Sequence, residues 1–135
     1  TWSQKYNMVW DKLWNTGLFP NNAMLTEVNY YLKKQNQYGL PLDSRKDYTK
    51  SDWIMWTAAM SPDRKSLEKF IDPLYQYVHN TETRVPISDW YDTVTARKTG
   101  FMARSVIGGH WMPVFAARVA GFDQAAKTPK KNNRK

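Results

Sequence analysis

The carboxylates, guanidinium groups and indoles of this sequence gather in two stretches. Asp43, Arg45 and Asp47 lie within residues 35–48, Asp52 and Trp53 follow directly, and Asp89, Trp90, Tyr91 and Asp92 lie within residues 80–100, with Arg104 just beyond. Such a set suits acid/base hydrolysis, in which one carboxylic acid protonates a leaving group, a carboxylate activates water, and flat aromatic faces hold a ring-shaped substrate. Asp43, Asp89 and Asp92 are the candidate catalytic acids, with Arg45 and Arg104 to orient the substrate or those acids, and Asp52, Trp53 and Trp90 to line the substrate site. Each also has a structural reading. Asp52 stands three residues after Thr49, the spacing of a capping box; Asp89 and Asp92 suit turns that bond the backbone two residues on; and the arginines suit internal pairs.

Other chemistries have less support. Without cysteine there is no thiol nucleophile, disulfide or thiolate-bound metal, and His79 and His110 have no ligand at metal-binding spacing, so no metal or cofactor is expected. None of Ser44, Ser51, Ser88 or Ser105 has a histidine near it in sequence. Ser66-Leu-Glu-Lys69 has the Ser-x-x-Lys spacing of some acyl-transfer enzymes, but Ser66 falls on a polar helix face and its partners are missing. Gly108-Gly109 lacks the rest of a phosphate loop.

The elements that must position these residues read as helices. Tyr6, Val9, Trp10, Leu13 and Trp14 recur at helical spacing, predicting a helix over 4–15 with Ser3 as cap and Asn15-Thr16-Gly17 as terminator. Met24, Val28, Tyr31 and Leu32 continue a second face after Pro20 and up to Lys33-Lys34, completing a helical hairpin. A third helix follows Thr49 and carries Trp53, Ile54, Trp56, Thr57 and Met60. A fourth is announced by Ser61-Pro62-Asp63 and continues through Leu67, Phe70, Ile71, Leu74, Tyr75 and Val78, with Pro73 predicting a kink or break near Asp72. Trp10, Trp14 and Trp56 fall on the apolar faces of these helices and are expected in the core. Residues 101–119 suggest a final helix weakened by Gly108-Gly109 and Pro113. The fold class is all-α, with no convincing strand pair, and stacked hairpins would bring both long loops to one end of the helical layer.

The chain has 135 residues, 41% of them hydrophobic, enough for one domain with a core. No apolar run approaches the roughly 18 residues needed to span a bilayer, and no signal peptide is evident. Of the formal +8 charge, Lys127, Lys130, Lys131, Arg134 and Lys135 supply five, leaving residues 1–126 at +3. The basic end, taken as residues 120–135, reads as a solvated, flexible tail rather than a nucleic-acid or anionic-surface binder. The absence of a starting methionine suggests a processed piece or fragment.

Four motifs carry a resemblance. They are Tyr38-Gly-Leu-Pro-Leu-Asp-Ser-Arg, Thr49-Lys-Ser-Asp-Trp-Ile-Met-Trp-Thr-Ala, Arg84-Val-Pro-Ile-Ser-Asp-Trp-Tyr-Asp-Thr and Gly100-Phe-Met-Ala-Arg-Ser-Val-Ile-Gly-Gly. With Tyr6-Asn-Met-Val-Trp-Asp-Lys-Leu and Leu18-Phe-Pro, the sequence over residues 6–112 resembles the glutaminase A family. The resemblance implies that residues 1–119 are the C-terminal portion of an (α/α)6 six-hairpin toroid, completed by an N-terminal part of the same protein. It implies a secreted or periplasmic hydrolase that converts the side-chain amide of glutamine to glutamate and ammonia, without nucleic acid or a membrane span. The same toroid also hosts glycoside hydrolases, so a glycan substrate or a non-catalytic binding scaffold is the alternative. Apolar helix faces should be exposed on this portion taken alone.

Overall fold

The computed structural model describes residues 1–120; the basic tail expected from residue 120 lies, from residue 121 onward, outside the described residues. The described chain is mostly helical. A 3-10 turn at Tyr6–Met8 runs into α1 (Val9–Trp14), followed by α2 (Ala23–Tyr31), β1 (Tyr48–Lys50), α3 (Ser51–Ala58), α4 (Arg64–Asn80), β2 (Trp90–Asp92), a 3-10 helix over Ser105–Trp111, and α5 (Met112–Val119). The central helix is α3, which packs against the first 3-10 turn, α4, the later 3-10 helix and α5.

The first helix is shorter than its apolar pattern, and Ser3 does not cap it: the Ser3 carbonyl instead accepts the Tyr31 hydroxyl proton at 2.9 Å. Its end falls where expected, at Asn15 in the left-handed region (φ 52°), with Gly17 at φ 67°. Asp11 organises the turn that follows, accepting bonds from the Thr16 hydroxyl and from the Leu18 and Phe19 amides. Trp14, expected in the core, is 68% exposed, because it ends a helix of six residues, and it stacks on Trp10. Trp10 and Trp56 are partly buried against the core. The second helix begins at Ala23, past Pro20, and stops at Tyr31 short of Lys33-Lys34.

Three further expectations change. Thr49 is not a cap: it lies in β1, and its hydroxyl accepts a bond from the Gln4 amide at 3.2 Å. Ser61 is not the cap of α4 either, since Ser61 N–H still donates to the Ala58 carbonyl at the end of α3; Asp63 takes the role and accepts from Ser66 N–H at 2.7 Å. Pro73 does not interrupt α4, which runs unbroken over Arg64–Asn80. The carbonyl that Pro73 cannot serve, four residues back at Lys69, accepts the side-chain amide of Gln35 at 2.8 Å, so no acceptor is stranded.

The all-α reading also misses a small antiparallel sheet, in which Tyr48 pairs with Asp92, Thr49 with Tyr91 and Lys50 with Trp90. Three residues per strand are too few to leave a period-2 signature. The final segment divides into the 3-10 helix and α5, with Pro113 in the first turn of α5, where its missing N–H forfeits no helical bond.

The core joins these pieces. Val9, Val28, Tyr31, Leu40, Ile54, Phe70, Tyr77 and Tyr91 are fully buried, and the rings of Tyr77 and Tyr91 stack at 3.5 Å. Their hydroxyls donate to the carbonyls of Ser88 and Tyr38, so each ring is buried without an orphan donor. Gln4 is a buried polar hub, donating to the carbonyls of Leu40 and Pro41 while accepting from Thr57 on α3. Val114, Phe115 and Val119 of α5 and neighbouring Trp111 stand exposed. No helix among the described residues is long and apolar enough to cross a membrane.

Candidate functional site

The two-stranded sheet brings the two long loops together. Because α3 starts directly after β1, the ladder delivers Lys50, Ser51 and Asp52 to the residues around Asp89, and Ser51 N–H extends the pairing by donating to the Asp89 carbonyl at 2.8 Å. Asp89, 1% exposed, accepts an ion-paired bond from Lys50 Nζ at 3.0 Å on one carboxylate oxygen and faces Arg104 Nε at 3.8 Å on the other. Both cations rest on aromatic faces: Lys50 Nζ lies 4.8 Å from the Trp90 ring centre and 4.7 Å from that of Phe101, and the Arg104 guanidinium lies 4.6 Å from Phe101.

Asp52 is the second buried carboxylate of this cluster, at 6% exposure in the first turn of α3. Burial pushes its pKa up, and the negative charge of Asp89 adds to the rise against the opposing pull of Lys50 and of backbone N–H groups. One oxygen of each acid, Asp52 Oδ1 and Asp89 Oδ1, is buried without a hydrogen-bond partner among the described residues, as are the indole N–H groups of Trp56 and Trp90. Buried acceptors and donors left unpaired in one neighbourhood are costly for folding alone and suit a site that receives a polar ligand.

His110 completes the surroundings. Its Nε2 lies 2.9 Å from Ser51 Oγ, across 59 positions of sequence. Burial lowers its pKa from the usual 6.5, with the Asp89 charge working the other way. Gly109 permits this approach: a Cβ there would stand 2.9 Å from both Asp52 Cβ and Trp56 Nε1. Gly100 does the same for the loop, since its Cβ would meet the Trp90 ring at 2.8 Å.

Of the residues singled out from sequence, Asp89, Arg104, Asp52 and Trp90 therefore come together. The others lie in separate arrangements. Asp43 and Arg45 form a local pair, with guanidinium-to-carboxylate distances of 2.6–3.1 Å and a bond from Arg45 N–H at 2.8 Å, and this pairing holds the Asp43 pKa down. Asp92 shapes a turn, accepting from the Val94 and Thr95 amides and the Thr95 hydroxyl; burial works to raise its pKa, but these bonds outweigh it and the net shift is downward. Trp53 stacks on Tyr6 at 4.3 Å, on the side where the N-terminal segment meets α3.

Lys50, Ser51 and His110 were not among the sequence candidates. Nothing in the sequence marks Lys50 beyond its place before Ser51-Asp52, and Ser51 has no histidine near it in sequence. The signal for His110 was the glycine pair before it, which weakens a helix but allows one backbone to press against another.

Fold and site together define a helical-hairpin domain whose polar centre is built where two loops meet a helix start. A family model described as the glutaminase A six helical-hairpin domain matches residues 1–114, and the chain belongs to that family. Glutaminase A of Aspergillus oryzae is 33% identical over 107 residues, 77% of this chain and 15% of the relative. A protein named "Probable glutaminase" from Arthroderma benhamiae is 36% identical over 100 residues, 71% of this chain and 11% of the relative. The chain thus spans a small part of the length of these curated relatives. No solved structure matches it.

Proposed function

We propose that residues 1–119 form the C-terminal portion of a six-hairpin toroid in a glutaminase A-like hydrolase, secreted or periplasmic, which cleaves the side-chain amide of glutamine. The observation that carries this reading is the pair of buried acids, Asp52 and Asp89, each with a free oxygen and each in a different electrostatic setting, within a family whose relatives bear the name glutaminase. Asp89, flanked by Lys50 and Arg104, takes a proton from water as the water oxygen bonds to the amide carbon. Asp52, which burial inclines to keep its proton, gives it to the amide nitrogen as the carbon–nitrogen bond breaks and ammonia leaves. Arg104, part exposed beside Asp89, orients a substrate carboxylate. Asp43 with Arg45, and Asp92 in its turn, maintain the loops in this scheme.

The test uses the full-length protein and its Asp89→Asn variant. Ammonia release from glutamine by the parent, lost in a variant with unchanged circular dichroism, supports the reading; full activity in the variant overturns the assignment. Release of reducing sugar from oligosaccharides, with no ammonia from glutamine, would transfer the same acid pair to glycoside hydrolysis. A change in stability without a change in turnover would make the cluster a structural network.

A further inference from the structure

The Ser51–His110 pair takes no part in the hydrolytic scheme, and its surroundings suit another task. Ser51 is fully buried, its hydroxyl is engaged by His110, and the hydrolytic scheme gives it no step. Its bonds point inward instead. The backbone N–H reaches the Asp89 carbonyl at 2.8 Å, the hydroxyl meets His110 Nε2 at 2.9 Å, and the next residue in the chain is Asp52. One serine therefore links the imidazole to the backbone at both acids. Gly109, immediately before the histidine, presses on Asp52 so closely that a methyl group there would not fit. The 3-10 helix carrying His110 thus meets α3 in its first turn, where Ser51 and Asp52 lie.

We propose that His110 is the positioning residue of the acid pair: bonded to Ser51, it fixes the start of α3 against the residue preceding β2 and so sets the separation of the Asp52 and Asp89 carboxylates. The kinetic part of this inference rests on the hydrolytic reading; the geometric part does not. The charge of Asp89, before β2, reaches the imidazole, and Arg118 of α5 shares the apolar groove that His110 borders. Burial favours its neutral form, in which one ring nitrogen donates and the other accepts, and the Ser51 hydroxyl can partner Nε2 in either role.

The experiment compares His110→Phe and His110→Gln in the full-length protein. Phenylalanine keeps a planar ring but cannot bond Ser51, whereas a glutamine amide keeps hydrogen-bonding capacity without titrating near neutral pH. The expected result is a fall in kcat of about tenfold to a hundredfold for phenylalanine, with KM nearly unchanged, and recovery of most of that loss by glutamine. A phenylalanine variant that loses thermal stability yet keeps parental kcat in its folded fraction would overturn the proposal, as would a glutamine variant no better than the phenylalanine one. If the parent releases no ammonia from glutamine, the hydrolytic reading fails while this inference is still decided by structure. Crystal structures of parent and His110→Phe should then differ in the Asp52-to-Asp89 carboxylate separation, and an unchanged separation would refute the positioning role.

Discussion

Two arginine–aspartate groupings in this chain differ in almost every physical respect. Asp43 and Arg45 are two residues apart, close their bonds on each other, and leave the guanidinium side chain 75% exposed. Asp89 draws Lys50 from 39 positions away and Arg104 from 15, is almost wholly buried, and retains an oxygen without a hydrogen bond. The first is self-sufficient and needs only its own loop. The second exists only once the two-stranded sheet has formed, and it remains unsatisfied afterwards. Residue type is shared by both; long-range assembly and an unmet bonding requirement distinguish the one that can act on something else.

The sharpest way to break that contrast is Asp89→Asn. Turnover should fall by about 10²–10⁴-fold, the usual contribution of a general acid or base, whereas stability should fall by about 1–3 kcal/mol, because Lys50 keeps an oxygen to bond but loses the charge opposite it. Rates of ammonia release together with urea midpoints separate the two effects. Equal small losses in Asp89→Asn and Asp43→Asn would erase the distinction between the regions.

Gly109→Ala probes the packing that assembles the second region. The added methyl group would have to displace Asp52 or the Trp56 indole, and overpacking of this kind costs about 1–3 kcal/mol. Thermal denaturation should show the loss, and a variant as stable as the parent would mean that the 3-10 helix moves freely over α3. Gly17→Ala is strained for a different reason, its positive φ, and has no atom to strike.

These two glycines show what was legible in the sequence and what was not. Gly17 announced the end of α1 because a helix terminus is local, and the same holds for the apolar faces of α1 and α4 and for the loops that carry the acids. Gly109 looked like a defect in a helix, because its reason lies in α3, more than fifty residues earlier. Ser51 was discounted by proximity in sequence, although its histidine arrives through tertiary packing. Ser61 and Thr49 had the composition of caps, but the turn ending α3 and the ladder with Tyr91 claimed their backbones first. Pro73 should have broken α4, and the side chain that relieves it comes from Gln35, outside any local window. Clustering of the acids by loop is readable; the choice of Asp52 and Asp89 over Asp43 and Asp92 depends on which acids keep an unpaired oxygen, which local pattern does not encode.

Acid titration should separate the regions by sign. The folded-state pKa of Asp43 is lowered by Arg45, so its contribution to stability is present above the usual 3.8 and fades as pH falls through the lowered value. That of Asp52 is raised by burial, so its contribution is complete below 3.8 and is lost as pH rises through the raised value. Asp43→Asn should therefore become less stable relative to the parent as pH rises from 3 towards neutrality, while Asp52→Asn becomes more stable relative to it. Denaturant midpoints across that range test both, and slopes of the same sign would contradict the burial of Asp52.

The smallest effect belongs to Arg45→Ala, and it is informative because an arginine beside a conspicuous aspartate is an attractive substrate anchor. The pair is mostly solvent-exposed on the arginine side, where screening and side-chain entropy leave an ion pair with little net contribution to stability. Asp43 keeps the bond from residue 45 N–H after truncation, since that donor is backbone, and the loop retains its hold on the N-terminal segment through Ser44 N–H to the Trp2 carbonyl at 2.9 Å. Stability should thus barely change, and kcat and KM should stay within about twofold of the parent. A tenfold rise in KM would instead bring the first loop into the substrate site, making its exposed guanidinium an anchor and its bond to Asp43 the means of holding that anchor ready.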